Sequence, residues 1–550
     1  MILRRLYLYV VSAASLVLLA IGVTLLGVTG LLFVFNDPSA DSSRSQLAIY
    51  TAMTVVAAPV WSVHFWFARR FAMRDPYERA SALRRLYLYW ACLVFSIATM
   101  VALGDALAQF LLPVLDNQTF SGLVAAQFTW AAIVFVAIFG FHFWTASIDR
   151  NAAGEEGASA TLRRWYMYPA LLVGLMTTLL AGATVLQMAL TDLALGSAPR
   201  YSYLSWPLGL ALAGTAMWGF HARVIATTYI SEDRHSTLRA LEGFVAVAIS
   251  IVIALAAASQ ILYYALARAL GVPHPGGATD NNLLVLAAGP VSQLLVFGVA
   301  WILIQRRLTR DAGTQEADRQ AGVRRLYTNL AALVSLAVWS VGAAGLLWTL
   351  AEQLEAPIIG VQAAGWKDPV SLWITLFVVG AAVWFAHWRN SPWAADRQSL
   401  SRKLYVWAAL MASILAVLAG GVGMINALLQ QLFSAHPTLA STGNLDFGHY
   451  LAVILVAAGV GVYHWRVLRG DSAARPAKAA AVQPAVTRPV VVASADSAEP
   501  GAVETLNPHS RLYTLVVTDA TDDDIHQALS SLPPQASYKL TPTEQAVDGR

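Results

Sequence analysis

The chain is 550 residues long, 57% apolar and only 12% charged, with a formal net charge of +4. An average soluble domain is about 25% charged, so a chain with half that charge cannot coat a set of water-soluble domains and must exchange water for lipid over most of its surface. Its single cysteine, Cys92, excludes an intrachain disulfide and any multi-cysteine metal centre.

The chain opens on Arg4-Arg5-Leu6-Tyr7-Leu8-Tyr9, a basic pair leading into a long apolar run. The pattern returns at Arg84-Arg85-Leu86-Tyr87-Leu88-Tyr89, Arg163-Arg164-Trp165-Tyr166-Met167-Tyr168, Arg324-Arg325-Leu326-Tyr327 and Arg402-Lys403-Leu404-Tyr405, with a degenerate copy at Arg239-Ala240-Leu241. Six copies about 75 to 86 residues apart make a repeat array. A helix needs about 20 apolar residues to cross roughly 30 Å of hydrocarbon. Runs of that length fall at 6–34, 47–67, 86–113, 126–147, 165–190, 205–226, 240–268, 283–304, 326–350, 370–388, 404–431 and 449–468. The first is too long for a signal-peptide core and matches the internal helices, so it is read as a retained helix. The expected fold is an all-α polytopic membrane bundle of about 12 transmembrane helices, arranged as six tandem hairpins in parallel orientation. The hairpins cover about 1–75, 76–155, 156–232, 233–315, 316–395 and 396–469.

In the membrane region, all basic residues except Arg44, Arg200, Arg268 and Lys367 fall on the side of the hairpin junctions. The positive-inside rule puts that side, and both termini, in the cytoplasm of a cell inner membrane. Topology accounts for these arginines without any ligand. Seventeen residues beyond the second basic residue of each copy, with Arg239 taken as that residue in the fourth, stands a small residue: Gly22, Ala102, Ala181, Ala256, Gly342 and Gly420. Small side chains let helix backbones approach closely, which predicts a packing seam along the first helices.

A second echo falls near the end of the second helices, at His64, His142, His221, His387 and His464, each flanked by aromatic residues. The fourth repeat has Ala300-Trp301 instead. Paired imidazoles could ligate haem or a metal, or relay protons. No second histidine shares a helix face with any of them and no carboxylate recurs beside them, which favours interfacial side chains with one nitrogen on a backbone carbonyl or a headgroup. No cofactor, metal site or catalytic residue is therefore expected. Ionisable groups at membrane depth are costly and default to functional candidates. Asp105, with Gln109 beyond it, is the best candidate for a translocation or proton site, and Glu242 is a second.

After Arg469 the composition changes. Residues 470–509 are rich in Ala, Pro, Val and Ser and read as a flexible linker. Residues 510–550 could form a short β-α-β piece, a small cytoplasmic segment suited to a protein partner. No phosphate-binding loop, His-Glu-x-x-His pair or Gly-x-Ser-x-Gly elbow is present, and no patch is dedicated to nucleic acid. An enzyme is not expected.

The Arg-Arg-Leu-Tyr-Leu-Tyr start of a long helix, followed by a hairpin partner, resembles a family of bacterial integral membrane proteins known only as a domain of unknown function. The resemblance covers about 1–469, is strongest in repeats one, two, five and six, and departs in repeat four. It implies a four-helix unit equal to two hairpins here, and it implies no catalytic residues. The leading expectation is a non-enzymatic membrane scaffold or sensor with the lipid bilayer as its surroundings. A transporter or channel with a polar path between hairpins is the alternative, and a histidine-ligated haem or metal electron carrier a further one.

Overall fold

A computed structural model describes residues 2–196, 203–234, 236–278, 282–312, 318–358, 365–389, 399–433 and 447–473. Of the linker expected from residue 470, 470–473 instead continue the helix Phe447–Ala473; the rest of it and the β-α-β piece, 474–550, lie outside the described residues. Among the described residues twelve long helices run in chain order: α1 (Ile2–Val34), α2 (Arg44–Arg74), α3 (Ala82–Leu115), α4 (Gly122–Ala153), α5 (Ala158–Leu195) and α6 (Ser205–Val224). They continue as α7 (Thr237–Ala269), α8 (Leu283–Ala312), α9 (Asp318–Ile358), α10 (Lys367–Arg389), α11 (Leu400–Phe433) and α12 (Phe447–Ala473). No strand occurs among the described residues.

The repeat motif starts a helix for a local reason. Ser81, Ser236 and Ser399 each stand three residues before a motif arginine, and each side chain accepts that arginine's backbone N–H. Such a cap satisfies one of the donors a helix start leaves open. The arginine is thereby fixed in the first turn. The tyrosine three residues on lies on the same face. This cap aligns Arg239 with Arg84 and Arg402, the first basic residue of the other copies. In the fourth repeat Glu242 therefore stands where the others carry their first tyrosine, a register one residue away from the one that the seventeen-residue offset to Ala256 uses.

Each odd helix packs along the even helix that follows it, forming six hairpins. Contacts then advance one hairpin at a time. The first helices α1, α3, α5, α7, α9 and α11 touch in succession, and α4, α6, α8, α10 and α12 each also pack on the first helix of the preceding hairpin. One core joins the first three hairpins through Leu16, Leu88, Cys92, Tyr166, Met167 and Ala170. Another joins the last two through Leu336, Trp384, Tyr405 and Leu410.

Eleven of the helices are long and apolar enough to cross a membrane. The expected twelfth, α6, has 20 residues and carries Trp206, Pro207, Trp218, His221 and Arg223. It is wedged against protein: Gly209 meets the backbone of Gly104 and Ala108, and Gly214 meets Thr178. The outward surface is what lipid requires. Val55 and Val56 on α2 are 64 and 65% exposed, and Met411, Ile414, Leu415, Leu418, Val422 and Ile425, 55 to 68% exposed, follow one another along α11; exposed apolar patches of this kind mark contact with something other than water.

Candidate functional site

The polar chemistry gathers at the end of the bundle that carries the hairpin junctions. The recurring histidines lie there, and their geometry is common to four hairpins. His142 Nδ1 bonds the carbonyl of Ile138 at 2.8 Å, and Nε2 lies 3.0 Å from the Tyr87 hydroxyl. His221 makes the same pair of bonds with Met217 and Tyr166, His464 with Val460 and Tyr405, and His64 with Val60 and Tyr7. A carbonyl can only accept, so Nδ1 carries the proton; Nε2 then accepts from the tyrosine hydroxyl. His142, His221 and His464 are sealed within protein, at 1%, 1% and 0% exposure. Every tyrosine partner is the first tyrosine of the repeat motif in the same hairpin.

The bond also reaches the previous hairpin. Trp61 Nε1 on α2 donates to Tyr87 at 3.0 Å, and Trp384 Nε1 on α10 donates to Tyr405 at 2.9 Å. Each phenol oxygen thus accepts from one helix and donates to another, a three-helix chain of indole, phenol and imidazole.

The motif arginines enter the protein. Arg84, Arg85 and Arg163 are 1%, 0% and 0% exposed, where topology alone would leave them in water or among headgroups. Burial of a guanidinium demands a partner, and a carboxylate supplies it. Arg84 Nε donates to Asp149 at 2.6 Å, Arg239 to Asp311 at 2.7 Å and Arg402 to Asp471 at 2.8 Å. Arg5 donates to Glu78 at 2.7 Å, and Arg4 pairs with the same carboxylate. Asp233 is fully buried and receives Arg163 through two nitrogens at 3.0 Å, Arg164 at 2.7 Å and the Tyr168 hydroxyl at 3.0 Å. Glu155, in the α4–α5 connection, accepts from Tyr89 and pairs with Arg163 at 2.7 Å and Arg85 at 3.7 Å. It ties the second hairpin to the third.

These carboxylates were missed in the sequence, although a signal exists: Asp149 and Asp471 both follow their histidine by seven residues. In the third hairpin the interval is twelve, and a π-helical segment, Ile225–Tyr229, lies between His221 and Asp233. The wider turn turns Tyr229 into the network, where its ring lies 3.7 Å from the Arg163 guanidinium and its hydroxyl accepts from Arg150. Burial holds the Tyr229 phenol above its ordinary range, against the opposing pull of Arg150 and Arg163.

The fourth hairpin substitutes one pair for another. Glu242 is 4% exposed and forms an ion pair with Arg307 on α8. Asp105 lies toward the opposite end of the bundle, where its carboxylate accepts from Trp206 Nε1 at 3.0 Å and so links α3 to α6. Gln109 is one turn further along α3, half-buried, with no hydrogen bond among the described residues. The structure therefore does not bring Asp105 and Gln109 together with Glu242. Among the described residues no group of three histidine, cysteine or acidic side chains is placed to hold a metal. In the α7–α8 connection His274 Nδ1 bonds the Ala278 carbonyl.

A bundle of apolar helical hairpins, stitched at one end by repeated tyrosine–histidine and arginine–carboxylate bonds, defines a multi-pass membrane protein built from tandem repeats. The profile of one family, a domain of unknown function termed DUF5671, matches residues 5–131, 118–202 and 325–459. The chain belongs to that family. The match at 325–459 runs from α9 into α12, the expected four-helix unit. The unmatched stretch between 202 and 325 contains the fourth hairpin, the one lacking both motif tyrosine and histidine. No curated protein and no solved structure matches the chain.

Proposed function

We propose that this protein is a non-enzymatic membrane scaffold, with the junction end and both termini in the cytoplasm and the C-terminal segment 510–550 offered to a protein partner. The observation that carries the reading is the use of the histidines. A haem or metal ligand needs a free imidazole nitrogen, and in His64, His142, His221 and His464 both nitrogens already serve helix packing. The transport alternative draws on Asp105, whose carboxylate is engaged by Trp206. The cytoplasmic placement rests on the charge bias, with only Arg44, Arg200, Arg268 and Lys367 on the other side.

The test combines a spectrum with a truncation. Purified protein is expected to show no Soret band. Deleting 474–550 is expected to abolish in-cell cross-linking of a cytosolic protein while leaving the thermal midpoint of the membrane region unchanged. A Soret band, or solute or proton uptake into proteoliposomes that Asp105→Asn abolishes, would overturn the scaffold reading.

A further inference from the structure

Topology explains why the arginines lie at the junction end, and the structure then sorts them into two groups. Motif arginines such as Arg84, Arg163 and Arg402 turn inward onto Asp149, Asp233 and Asp471. Arg69, Arg70 and Arg74, in the last turns of α2, meet no carboxylate among the described residues. The carboxylates around them are committed elsewhere. Glu78 holds Arg4 and Arg5, Asp149 holds Arg84, and Asp75 accepts the Tyr77 N–H. Three positive charges close together on one helix end are left without an ion pair.

What two of them do have is an aromatic shelf. The Arg69 guanidinium stands 5.9 Å from the ring of Trp144 on α4, and that of Arg70 stands 5.1 Å from the ring of Trp66 on α2. A ring beneath a guanidinium limits its motion and leaves its N–H edge free for oxygen acceptors. The two helices meet close by, with Trp61 and Phe65 against Phe141. Ahead of the arginines the surface is apolar. Val63, Trp66, Phe67, Arg70 and Arg74 follow at helical spacing along one face of α2, and all are exposed, as are Trp144 and Ile148 on α4. Because α2 is long and apolar enough to cross a membrane, its tryptophan marks the headgroup level, and the arginines stand just beyond it, where lipid phosphates lie.

We propose that the α2–α4 edge at the junction end binds an anionic phospholipid, with its phosphate on Arg69 and Arg70, Arg74 adding charge, and an acyl chain along Val63 and Phe67. The fork of a guanidinium matches two phosphate oxygens. Three arginines without ion pairs favour a headgroup of net negative charge over a zwitterionic one, whose ammonium would meet the same positive charges. A soluble anion would use the arginines and leave the exposed apolar stripe idle; a phospholipid uses both. Nothing in this binding depends on the scaffold reading.

The test uses the full chain in phosphatidylcholine vesicles with a phosphatidylglycerol carrying a photoactivatable diazirine in its acyl chain. Labelling is expected to saturate and to map by mass spectrometry to α2 and α4 around Val63, Phe67 and Ile148. A phosphatidylcholine with the same diazirine should label the lipid-facing helices diffusely and without saturation, and inorganic phosphate should not displace the anionic probe. Changing Arg69, Arg70 and Arg74 together to Gln should weaken labelling on the order of 100-fold, about fivefold for each arginine near a membrane surface. Changing Arg223, Arg306 and Arg310 to Gln removes the same charge from exposed positions that have no aromatic shelf among the described residues, and should leave labelling nearly unchanged. Both triple variants should keep the natural thermal midpoint, and the mapping and headgroup comparison use the natural chain whatever the variants do. Saturable labelling of the same site by the phosphatidylcholine probe, displacement by inorganic phosphate, or an equal loss in the two triple variants would overturn the proposal.

Discussion

Arg84 and Asp149 show how strongly the junction end depends on single contacts. Both are almost wholly buried, and their bond at 2.6 Å joins α3 to α4. Breaking a buried pair from one side strands a charge and costs about 3–5 kcal/mol, whereas replacing both partners with apolar residues is often close to neutral. Asp149→Ala is therefore expected to lower stability by about that amount. The double variant Arg84→Met with Asp149→Leu should recover most of the loss. Thermal unfolding of the single and double variants in detergent checks this; equal losses would mean that the ion pair does not couple the two helices. The same residues show what a linear reading concealed. Asp149 and Asp471 lie seven residues after a histidine, whereas Asp233 lies twelve residues after His221, so no single interval stands out in the sequence.

At the scale of the helix, small residues along the first helices, at the seventeen-residue position and one heptad before it, act in packing, and the structure settles against what. Gly174 on α5 faces its own hairpin partner: a Cβ there would lie 2.7 Å from the backbone nitrogen of Trp218 on α6. Gly342 on α9 abuts the backbone of Phe377 on α10 in the same way. The seam closes each hairpin internally, where the offset alone suggested a framework of first helices. Contact between backbones leaves nothing flexible to move aside. Gly174→Val is expected to destabilise the protein by at least about 1–3 kcal/mol, the usual cost of overpacking. Gly182→Val, with open space at its Cβ, should be nearly silent. Comparing their unfolding midpoints tests whether close approach of α5 and α6 holds the hairpin.

For the whole molecule, the proposed orientation is open to direct measurement. Cys92 is fully buried and is not expected to react in the folded protein. A cysteine at Asn117, in the exposed α3–α4 turn, should be labelled by a membrane-impermeant thiol reagent added to intact cells. A cysteine at Glu156, exposed in the α4–α5 junction, should be labelled only after the membrane is opened. The reverse pattern would invert the bundle and move the C-terminal segment to the other side.

By itself the sequence determined the class, the repeat, the helices and the side of the bundle that is basic. Those properties follow from local pattern: apolar run length, a motif returning at regular intervals, and basic residues gathered on one side of the hairpins. The partner of each polar group was decided only by tertiary structure. Tyr87 and His142 are 55 residues apart, and Arg84 and Asp149 are 65 apart. Only the folding back of the second helix makes them neighbours. The motif that starts each hairpin reads, in one dimension, as a marker of orientation. In three it is half of a buried bonding layer, because a guanidinium or imidazole that leaves water must find its complement in protein.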